Sequence, residues 1–318
     1  MEHYEFYGEK VRAGILGHAL GDALGVPVEF ADRADLKVHP IDGMVGYGTH
    51  YVPPGTWSDD TSMELALMQS LIDKQKFDPV DIMQNFCRWL YQNEFTAIGR
   101  TFDVGITCSN AIDAFRNNGD PFKSGRQDRY SNGNGSLMRM LPIALLCYRH
   151  DIVGWERRNL VRHASALTHA NEISVLGCYI YTNLVCHLLE NISPHLALMD
   201  TLADDYSAFS DEALATYRRI LLDDISVLTE AEIRSGGYVV DTLEAAIWCL
   251  LKTDSYRSAV LRAVNLGGDT DTTGAVTGSL AGLVYGYAAL PSEWLGKLQR
   301  MSYIKKMCDE FANVDFVL

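Results

Sequence analysis

Residues 274–290 form a long stretch without a charged side chain, and it ends before Pro291. Its four glycines recur every four residues from Gly274, so on an α-helix they share one face. A face without side chains lets a neighbouring backbone approach closely. The stretch is diluted by Thr, Ser, Tyr and Gly, and a membrane span needs about 20 predominantly apolar residues. The pattern predicts a buried central helix with Asp269 and Asp271 at its N-terminal end.

Residues 8–25 show a second helical pattern of apolar positions, and Gly17, Gly21 and Gly25 also lie four residues apart. We therefore predict that this helix packs against the helix of residues 274–290. Pro27 is expected to end it, and Glu29 follows in a loop, where a carboxylate is usually solvated.

The remaining apolar periodicity is also helical, and no segment shows a sustained alternation of period two. We predict an all-α fold. No low-complexity linker divides the chain, so we expect one orthogonally packed, multi-helix domain over residues 1–318. The further predicted helices cover residues 63–74, 79–93, 104–117, 137–146, 155–170, 172–190, 211–229, 240–252, 255–265 and 293–312.

Composition is that of a globular protein, with 47% hydrophobic and 21% charged residues in 318. A formal net charge of −14 argues against binding to nucleic acid or an anionic membrane, which needs a basic surface. The seven cysteines form no C-x-x-C pair and lie in apolar stretches, which indicates reduced core thiols. The N-terminal residues are polar and acidic, unlike a signal peptide, so we expect a cytoplasmic protein.

Two acidic pairs lie at predicted helix starts, more than two hundred residues apart. A carboxylate in a first helical turn often only stabilises the helix, so either pair could be a cap. Together with neighbouring hydroxyl groups, however, the pairs offer only hard oxygen ligands, which suit Mg²⁺ or Mn²⁺ better than zinc. Four carboxylates are enough for two ions, and such a pair of ions can orient a substrate and activate water. The residues are Asp59 and Asp60 with Ser58, and Asp269 and Asp271 with Thr272.

Residues 131–136, S-N-G-N-G-S, precede another predicted helix and have the composition of a backbone nest that binds anions. Without other support, such a run is more often a flexible turn.

Five motifs occur in order between residues 11 and 290, and together they resemble the ADP-ribosylglycohydrolase family, the relatives of the dinitrogenase-reductase-activating glycohydrolase. They are G-D-A-L-G-x-P-x-E-F (21–30), G-T-W-S-D-D-T (55–61), S-N-G-N-G-S-L-M-R-x-x-P (131–142), T-H (168–169) and N-x-G-G-D-T-D-T-T-G (265–274).

The resemblance implies an all-α, orthogonally packed domain with a two-metal site that removes ADP-ribose from modified side chains. Position by position, it implies metal ligands at Ser58, Asp59, Asp60, Asp269, Asp271 and Thr272. It implies catalytic carboxylates at Glu29 and Asp103, near the scissile bond and the substrate ribose. It implies a cradle for the diphosphate and adenosine at Ser131, Asn132, Gly133, Asn134, Gly135 and Ser136, with His169 lining the same pocket.

Two positions depart from the family pattern. Some relatives stack adenine on an aromatic residue where this chain has Asn132, so adenine must stack elsewhere or bind less tightly. Ser58 stands where many relatives carry threonine, which keeps the hydroxyl ligand.

The expected chemistry fits these residue types. Two divalent cations, Mg²⁺ or Mn²⁺, could hold the ribose 2″ and 3″ hydroxyls and supply a polarised water. Glu29 or Asp103 could act as the general acid or base. Backbone N–H groups of the 131–136 loop suit an anion in an otherwise acidic protein.

Several functions remain open at this point. Residues 59–64, D-D-T-S-M-E, imitate a terpene-synthase motif, but the second motif of that class is missing. A non-catalytic family member would have no need of all six ligands. An immunity protein against an ADP-ribosylating toxin also fits. The substrate could be an ADP-ribosylated protein or a small conjugate such as O-acetyl-ADP-ribose, and Asp103 favours arginine over serine as the acceptor.

Overall fold

The computed structural model describes the backbone of residues 2–317 and the side chains of residues 6–317. Sixteen α-helices lie in this part of the chain. They are α1 Glu2–Gly25, α2 Arg33–Val38, α3 Asp59–Lys74, α4 Pro79–Gln92, α5 Ile106–Asn118, α6 Leu141–Arg149, α7 Gly154–Ala166, α8 Glu172–Leu188, α9 Pro194–Leu202, α10 Asp211–Thr216, α11 Arg218–Leu221, α12 Val239–Leu251, α13 Tyr256–Val264, α14 Thr270–Tyr285, α15 Ser292–Leu295 and α16 Met301–Phe311.

The all-α prediction is confirmed. Pairing between extended segments within residues 2–317 is limited to three isolated bridges, Lys76 with Val317, Arg126 with His169 and Gly133 with Tyr238. Short 3-10 helices connect several of the α-helices, at Val26–Val28, Pro121–Lys123, Leu137–Arg139, Ile225–Val227, Glu230–Glu232 and Tyr287–Ala289.

Helices α1 and α14 pack against each other through their glycine faces, as predicted. A Cβ atom on Gly21 would overlap the carbonyl oxygen of Gly274, and one on Gly278 would overlap the carbonyl of Gly17. Backbone contact this close is possible only without side chains. Every residue from Thr270 to Leu283 is buried, so α14 is the central helix.

This packing brings three helix ends to one place. Gly25, at the end of α1, lies against the backbone of Asp271, and the Thr270 hydroxyl donates to the Gly25 carbonyl at 2.8 Å. The N-terminus of α3 joins them, since the backbone N–H of Ser58 donates to Asp22 of α1 at 2.9 Å. The start of α14, the start of α3 and the end of α1 therefore meet.

The predicted helix over residues 211–229 is wrong. The chain forms α10 and α11 there, and Leu222 leaves the helical region with φ −125°. Asp224 then caps the 3-10 helix of Ile225–Val227 by accepting from the N–H of Ser226. The apolar pattern continues through these breaks, so periodicity alone does not reveal them.

Other differences concern helix ends and short helices. The predicted helix 293–312 divides into α15 and α16, and Gly286, with φ +81°, ends α14 before Pro291. The pattern missed α2 and α9, although Ser193 and Pro194 form an N-cap followed by proline that marks the start of α9.

The seven cysteines are all free thiols, and only Cys87 is less than fully buried. Among residues 2–317 no helix combines the length and the apolar character that crossing a bilayer requires.

Candidate active site

The two acidic pairs meet at one buried centre. The Thr272 hydroxyl donates to Oδ2 of Asp60 at 3.3 Å, although the two residues are 212 positions apart in the chain. Carboxylate oxygens of Asp60, Asp271 and Asp22 all lie within 4.8 Å of one another. Ser58 Oγ also donates to Oδ2 of Asp60, at 3.1 Å. Ser58, Asp60, Asp271 and Thr272 thus form one cluster, whereas Asp59 is outside the groups of carboxylates that approach one another this closely.

A second set of carboxylates continues this cluster toward solvent. Oxygens of Glu29, Asp269 and Asp271 lie within 4.8 Å of one another, and so do ligand atoms of Glu29, His50 and Asp103. Glu29 belongs to both groups, so the acidic centre extends without interruption from Asp271 to Asp103.

The four aspartates of the two acidic pairs do not serve mainly as helix caps. Ser58 is the N-cap residue of α3, and Asp269 makes no side-chain cap bond to α14. The carboxylate that caps α3 is Asp22, which accepts from the N–H groups of Ser58 and Thr61 at 2.9 and 3.1 Å. The Thr61 hydroxyl donates to the same carboxylate at 2.5 Å. Asp22 therefore positions the helix that carries Asp59 and Asp60.

The donor set of the centre fits divalent cations. Oδ1 of Asp60 and Oδ2 of Asp271 are buried and have no hydrogen-bond partner. Burial, together with repulsion among neighbouring carboxylates, holds the pKa values of Asp60 and Asp271 well above the ordinary range. Buried carboxylates without a donor or a positive partner are costly. A cation with hard-oxygen preference would supply the missing charge.

A cavity of about 460 Å³ opens beside the acidic centre. Among the predicted site residues, those that line it are Glu29, Asp59, Asp103, Gly133, Asn134, Gly135, His169, Asp269 and Thr272. Ser58, Asp60 and Asp271 are buried behind this lining. The carboxylates and the glycine loop thus face one volume.

The loop of residues 131–136 contributes Gly133, Asn134 and Gly135 to the cavity, whereas its other side chains hold the loop in place. Ser131 Oγ donates to Asp128 at 2.8 Å, and Asn132 accepts from Ser174 Oγ at 2.9 Å. Ser136 is fully buried and bonds with Ser165. The side chains of Ser131, Asn132 and Ser136 therefore do not reach the cavity.

Asn134 connects the loop to the acidic centre. Its Nδ2 donates to Oδ2 of Asp269 at 2.8 Å and to the Thr242 hydroxyl at 2.9 Å. Its backbone N–H donates to the Gly237 carbonyl, so this N–H is not available to an anion. Other N–H groups of the loop would have to bind a diphosphate.

His169 is a neutral side chain of the cavity wall. It is almost fully buried, and burial together with the charge of Arg139 lowers its pKa to about 3. Its Nδ1 bonds with the Thr168 hydroxyl at 2.8 Å. His169 can therefore orient a ligand but does not carry charge at neutral pH.

Glu29 is buried, contrary to the expectation that a loop carboxylate is solvated. Its side chain is only 5% exposed and hydrogen-bonds with Nε2 of His50, and its carbonyl accepts from the Thr49 hydroxyl at 2.8 Å. Burial raises the pKa of Glu29 to about 7, the charge of Asp103 adds to this, and the bond with His50 opposes it. Near neutral pH Glu29 can hold or release a proton.

A further polar pair lies one helical turn beneath the centre. His18 is four residues before Asp22 on α1, and Glu64 is four residues after Asp60 on α3, so each lies on the same helix face as the carboxylate above it. Nδ1 of His18 is 3.8 Å from Oε1 of Glu64, and both side chains are buried. Burial holds the pKa of Glu64 well above its usual value and lowers that of His18 to about 3. His18 is therefore neutral at neutral pH, and burial disfavours the charged form of Glu64.

Sequence reasoning missed two residues of the site, Asp22 and His50, and a neighbour of the glycine loop, Tyr238. Asp22 lies within the G-D-A-L-G motif at the end of a glycine-faced helix, so that motif was the available signal. Tyr238 pairs its backbone with Gly133 and keeps 38% of its surface exposed beside the loop. Nothing in the spacing around His50 indicates its contact with Glu29.

Comparisons with known proteins agree with this geometry. A sequence model of the ADP-ribosylglycohydrolase family matches residues 3–317. ADP-ribosylarginine hydrolase Tri1 of Serratia proteamaculans is 32% identical over 95% of this chain and 78% of its own length. ADP-ribosyl-[dinitrogen reductase] glycohydrolase of Rhodospirillum rubrum is 32% identical over 91% of this chain and 90% of its own. A solved structure of an ADP-ribosylglycohydrolase-related protein complex superposes with a TM-score of 0.82 at 29% identity, covering 98% of this chain and all of that one.

Proposed function

The chain belongs to the ADP-ribosylglycohydrolase family, and we propose that it hydrolyses the bond between ADP-ribose and an arginine side chain of a modified protein, with the help of two divalent cations. Two relatives that are 32% and 34% identical over 95% of this chain carry the name ADP-ribosylarginine hydrolase. The observation that carries the proposal is the cluster of carboxylates, two of them with buried unpartnered oxygens, beside a cavity lined in part by a glycine loop.

The cations belong to the acidic centre. The residues that would hold them are Ser58, Asp59, Asp60, Asp269, Asp271 and Thr272. Mg²⁺ or Mn²⁺ suits a donor set made only of carboxylate and hydroxyl oxygens. Bound there, the cations would supply Lewis-acid polarisation of the ribose hydroxyls and of the hydrolytic water.

The chain's own groups account for binding of the ADP-ribose half. Gly133 and Gly135 place backbone next to the cavity, and a flexible diphosphate can approach backbone N–H groups where no side chain intervenes. Neutral His169 lies within the same wall and adds a polar contact without a charge. Asn132 offers no ring on which adenine could stack, whereas Tyr238 has an exposed ring beside this loop.

Two carboxylates are placed for proton transfer. Hydrolysis breaks the bond between C1″ of the ribose and the guanidine nitrogen, adds a water oxygen to C1″ and returns a proton to the nitrogen. Glu29 hydrogen-bonds with His50 and lies beside Asp103 and Asp269, so its carboxyl group is placed to give or accept a proton. Oxygens of Asp103 and Glu29 lie within 4.8 Å of each other, so either carboxyl group can donate the proton to the departing nitrogen.

A release assay tests the proposed function. Purified protein with Mg²⁺ or Mn²⁺ is expected to release ADP-ribose from an arginine-linked peptide faster than from matched serine-linked and cysteine-linked peptides. Preferential release from serine would assign the chain to the serine-specific or O-acetyl-ADP-ribose activity instead. No release from any of the three conjugates would favour a non-catalytic member or an immunity protein that acts by binding a toxin.

Gly133→Val is expected to weaken binding of free ADP-ribose by about 10- to 100-fold, the equivalent of about 1.4–2.8 kcal/mol. A Cβ atom at Gly133 would lie 3.6 Å from the Gly237 carbonyl and from Nε2 of His169, so the side chain fits the protein but occupies the cavity. Metal affinity should stay unchanged. Calorimetry with ADP-ribose and with Mn²⁺ measures both.

Gly236→Val is the matched control, because Gly236 lies near the loop without lining the cavity and has room for a Cβ atom. It should bind ADP-ribose like the wild type. An unchanged affinity in Gly133→Val would mean that residues 131–136 are only a turn, and their assignment to the diphosphate and adenosine would be withdrawn.

A further inference from the structure

An exposed aromatic ring stands at the mouth of the cavity. Phe30 directly follows Glu29 and lines the cavity, yet 69% of its surface is exposed to solvent. Neither the helix packing nor the binding of ADP-ribose explains why a large apolar side chain is placed there. A ring in this position is next to the carboxylate that serves the scissile bond.

The backbone holds the ring in this position. Phe30 has φ +65°, a left-handed conformation that is uncommon and strained for a bulky residue. Its N–H donates to the Gly268 carbonyl at 2.7 Å, and the N–H of Ala31 donates to the Val28 carbonyl at 2.9 Å. Gly268 precedes Asp269, so the segment that bears Phe30 is bonded directly to the loop of the acidic centre. Strain that is fixed in this way at a site points to a function of the residue.

The cavity is lined to receive a positive group. None of the described residues that line it is a lysine or arginine, whereas Glu29, Asp59, Asp103 and Asp269 are carboxylates. Asp59 and Asp269 belong with the cations, which leaves Asp103 near Glu29 and Phe30. A carboxylate beside an aromatic face suits a planar, delocalised cation, because the ring attracts the cation through its face and the carboxylate accepts its N–H groups.

We propose that Phe30 is a specificity-determining residue for the acceptor, with its ring packed on the guanidinium of the arginine that leaves while the Asp103 carboxylate faces that cation. This inference rests on the proposed function and adds to it the contact that selects the acceptor. A serine hydroxyl presents no planar cation, so an O-linked substrate gains nothing from the ring.

Phe30→Leu tests the inference, since leucine keeps an apolar side chain but removes the π face. With an arginine-linked ADP-ribosylated peptide, we expect KM to rise about tenfold, within the range of a cation–π contact, and kcat to stay within about twofold. Phe30→Tyr, which restores the ring, should return KM to the wild-type value. Affinity for free ADP-ribose, measured by calorimetry, should be unchanged in both variants.

Tyr51→Leu is the matched control, because Tyr51 is also an exposed aromatic residue with a left-handed φ, +52°, and is not part of the cavity wall. It should keep the wild-type KM. The inference is overturned if Phe30→Leu leaves KM for the arginine-linked peptide unchanged. It is also overturned if Phe30→Leu lowers the affinity for free ADP-ribose to the same extent as it raises KM. Should the wild type act on the serine-linked peptide and not on the arginine-linked one, the proposed function itself fails, and the guanidinium assignment falls with it.

Discussion

Removal of divalent cations by excess EDTA is expected to abolish release of ADP-ribose, and Mg²⁺ or Mn²⁺ should restore it while Zn²⁺ should not. The reason lies in the donor set, since Asp60 and Asp271 each have a buried carboxylate oxygen without a hydrogen-bond donor. These hard oxygen ligands do not include the thiolate or imidazole that zinc usually takes. Activity measured in chelator and after each ion is added back checks this prediction. Full activity in excess chelator would contradict a role for metal.

The same ions should stabilise the folded chain. An ion that binds only the folded state adds about 2.7 kcal/mol when its concentration is 100 times its Kd. Burial raises the pKa of Glu29 to about 7 and that of Asp22 to about 6, above the values of the unfolded chain. Through these two groups the metal-free folded state binds more protons than the unfolded state, and their contribution to its stability falls as pH rises from about 4 to about 7. The gain in Tm on adding Mg²⁺ should accordingly be larger at pH 8 than at pH 6.

The helix packing could be predicted from the sequence because glycine spacing has a direct geometric consequence. Gly17 and Gly21 on one helix and Gly274 and Gly278 on the other leave backbone in contact, as the period of four predicts. Helix ends were harder to predict. The apolar positions of residues 211–229 continue across Leu222, where the backbone turns out of the helix, so hydrophobic periodicity gives no warning of the break.

The candidate centre could be predicted in part. Hydroxyl and carboxylate groups at two helix starts identified the residues around Asp60 and Asp271, and the packing of α14 on α1 brought them together. Asp22 was not assigned because its role depends on which helix end lies beside it. His50 and the burial of Glu29 depend on how the segment after Pro27 folds against residues 47–52, where Thr49 bonds to Pro27 and Glu29. Local sequence does not specify such contacts between loops.

Asp60→Asn and Asp271→Asn are each expected to lower turnover by at least about 100-fold, since even the loss of a group that supports a metal ligand costs about 10- to 100-fold. The fold should survive. In the wild type, Oδ1 of Asp271 accepts from the N–H of Thr272 at 2.9 Å, and an asparagine side chain keeps an oxygen for this bond. At position 60, an asparagine likewise keeps an oxygen that can accept from the hydroxyls of Ser58 and Thr272. What each variant loses is a negative charge that a cation requires. Calorimetry with Mn²⁺ should show weaker binding in both.

The free energy of unfolding provides a second measurement for these variants, and the expected change has opposite signs in EDTA and in Mg²⁺. In EDTA each should be at least as stable as the wild type, because burial and the repulsion of neighbouring carboxylates both raise the pKa of Asp271 and Asp60, and the substitution removes one of these carboxylates. In Mg²⁺ each should be less stable, because it has lost part of the binding energy. Asp211→Asn, a carboxylate in the first turn of α10 outside the centre, should lose only about 0.3–1 kcal/mol of helix stabilisation and keep full turnover. If Asp271→Asn unfolded even in EDTA, the aspartate would be a structural element of α14, and unchanged turnover would exclude it from the active site.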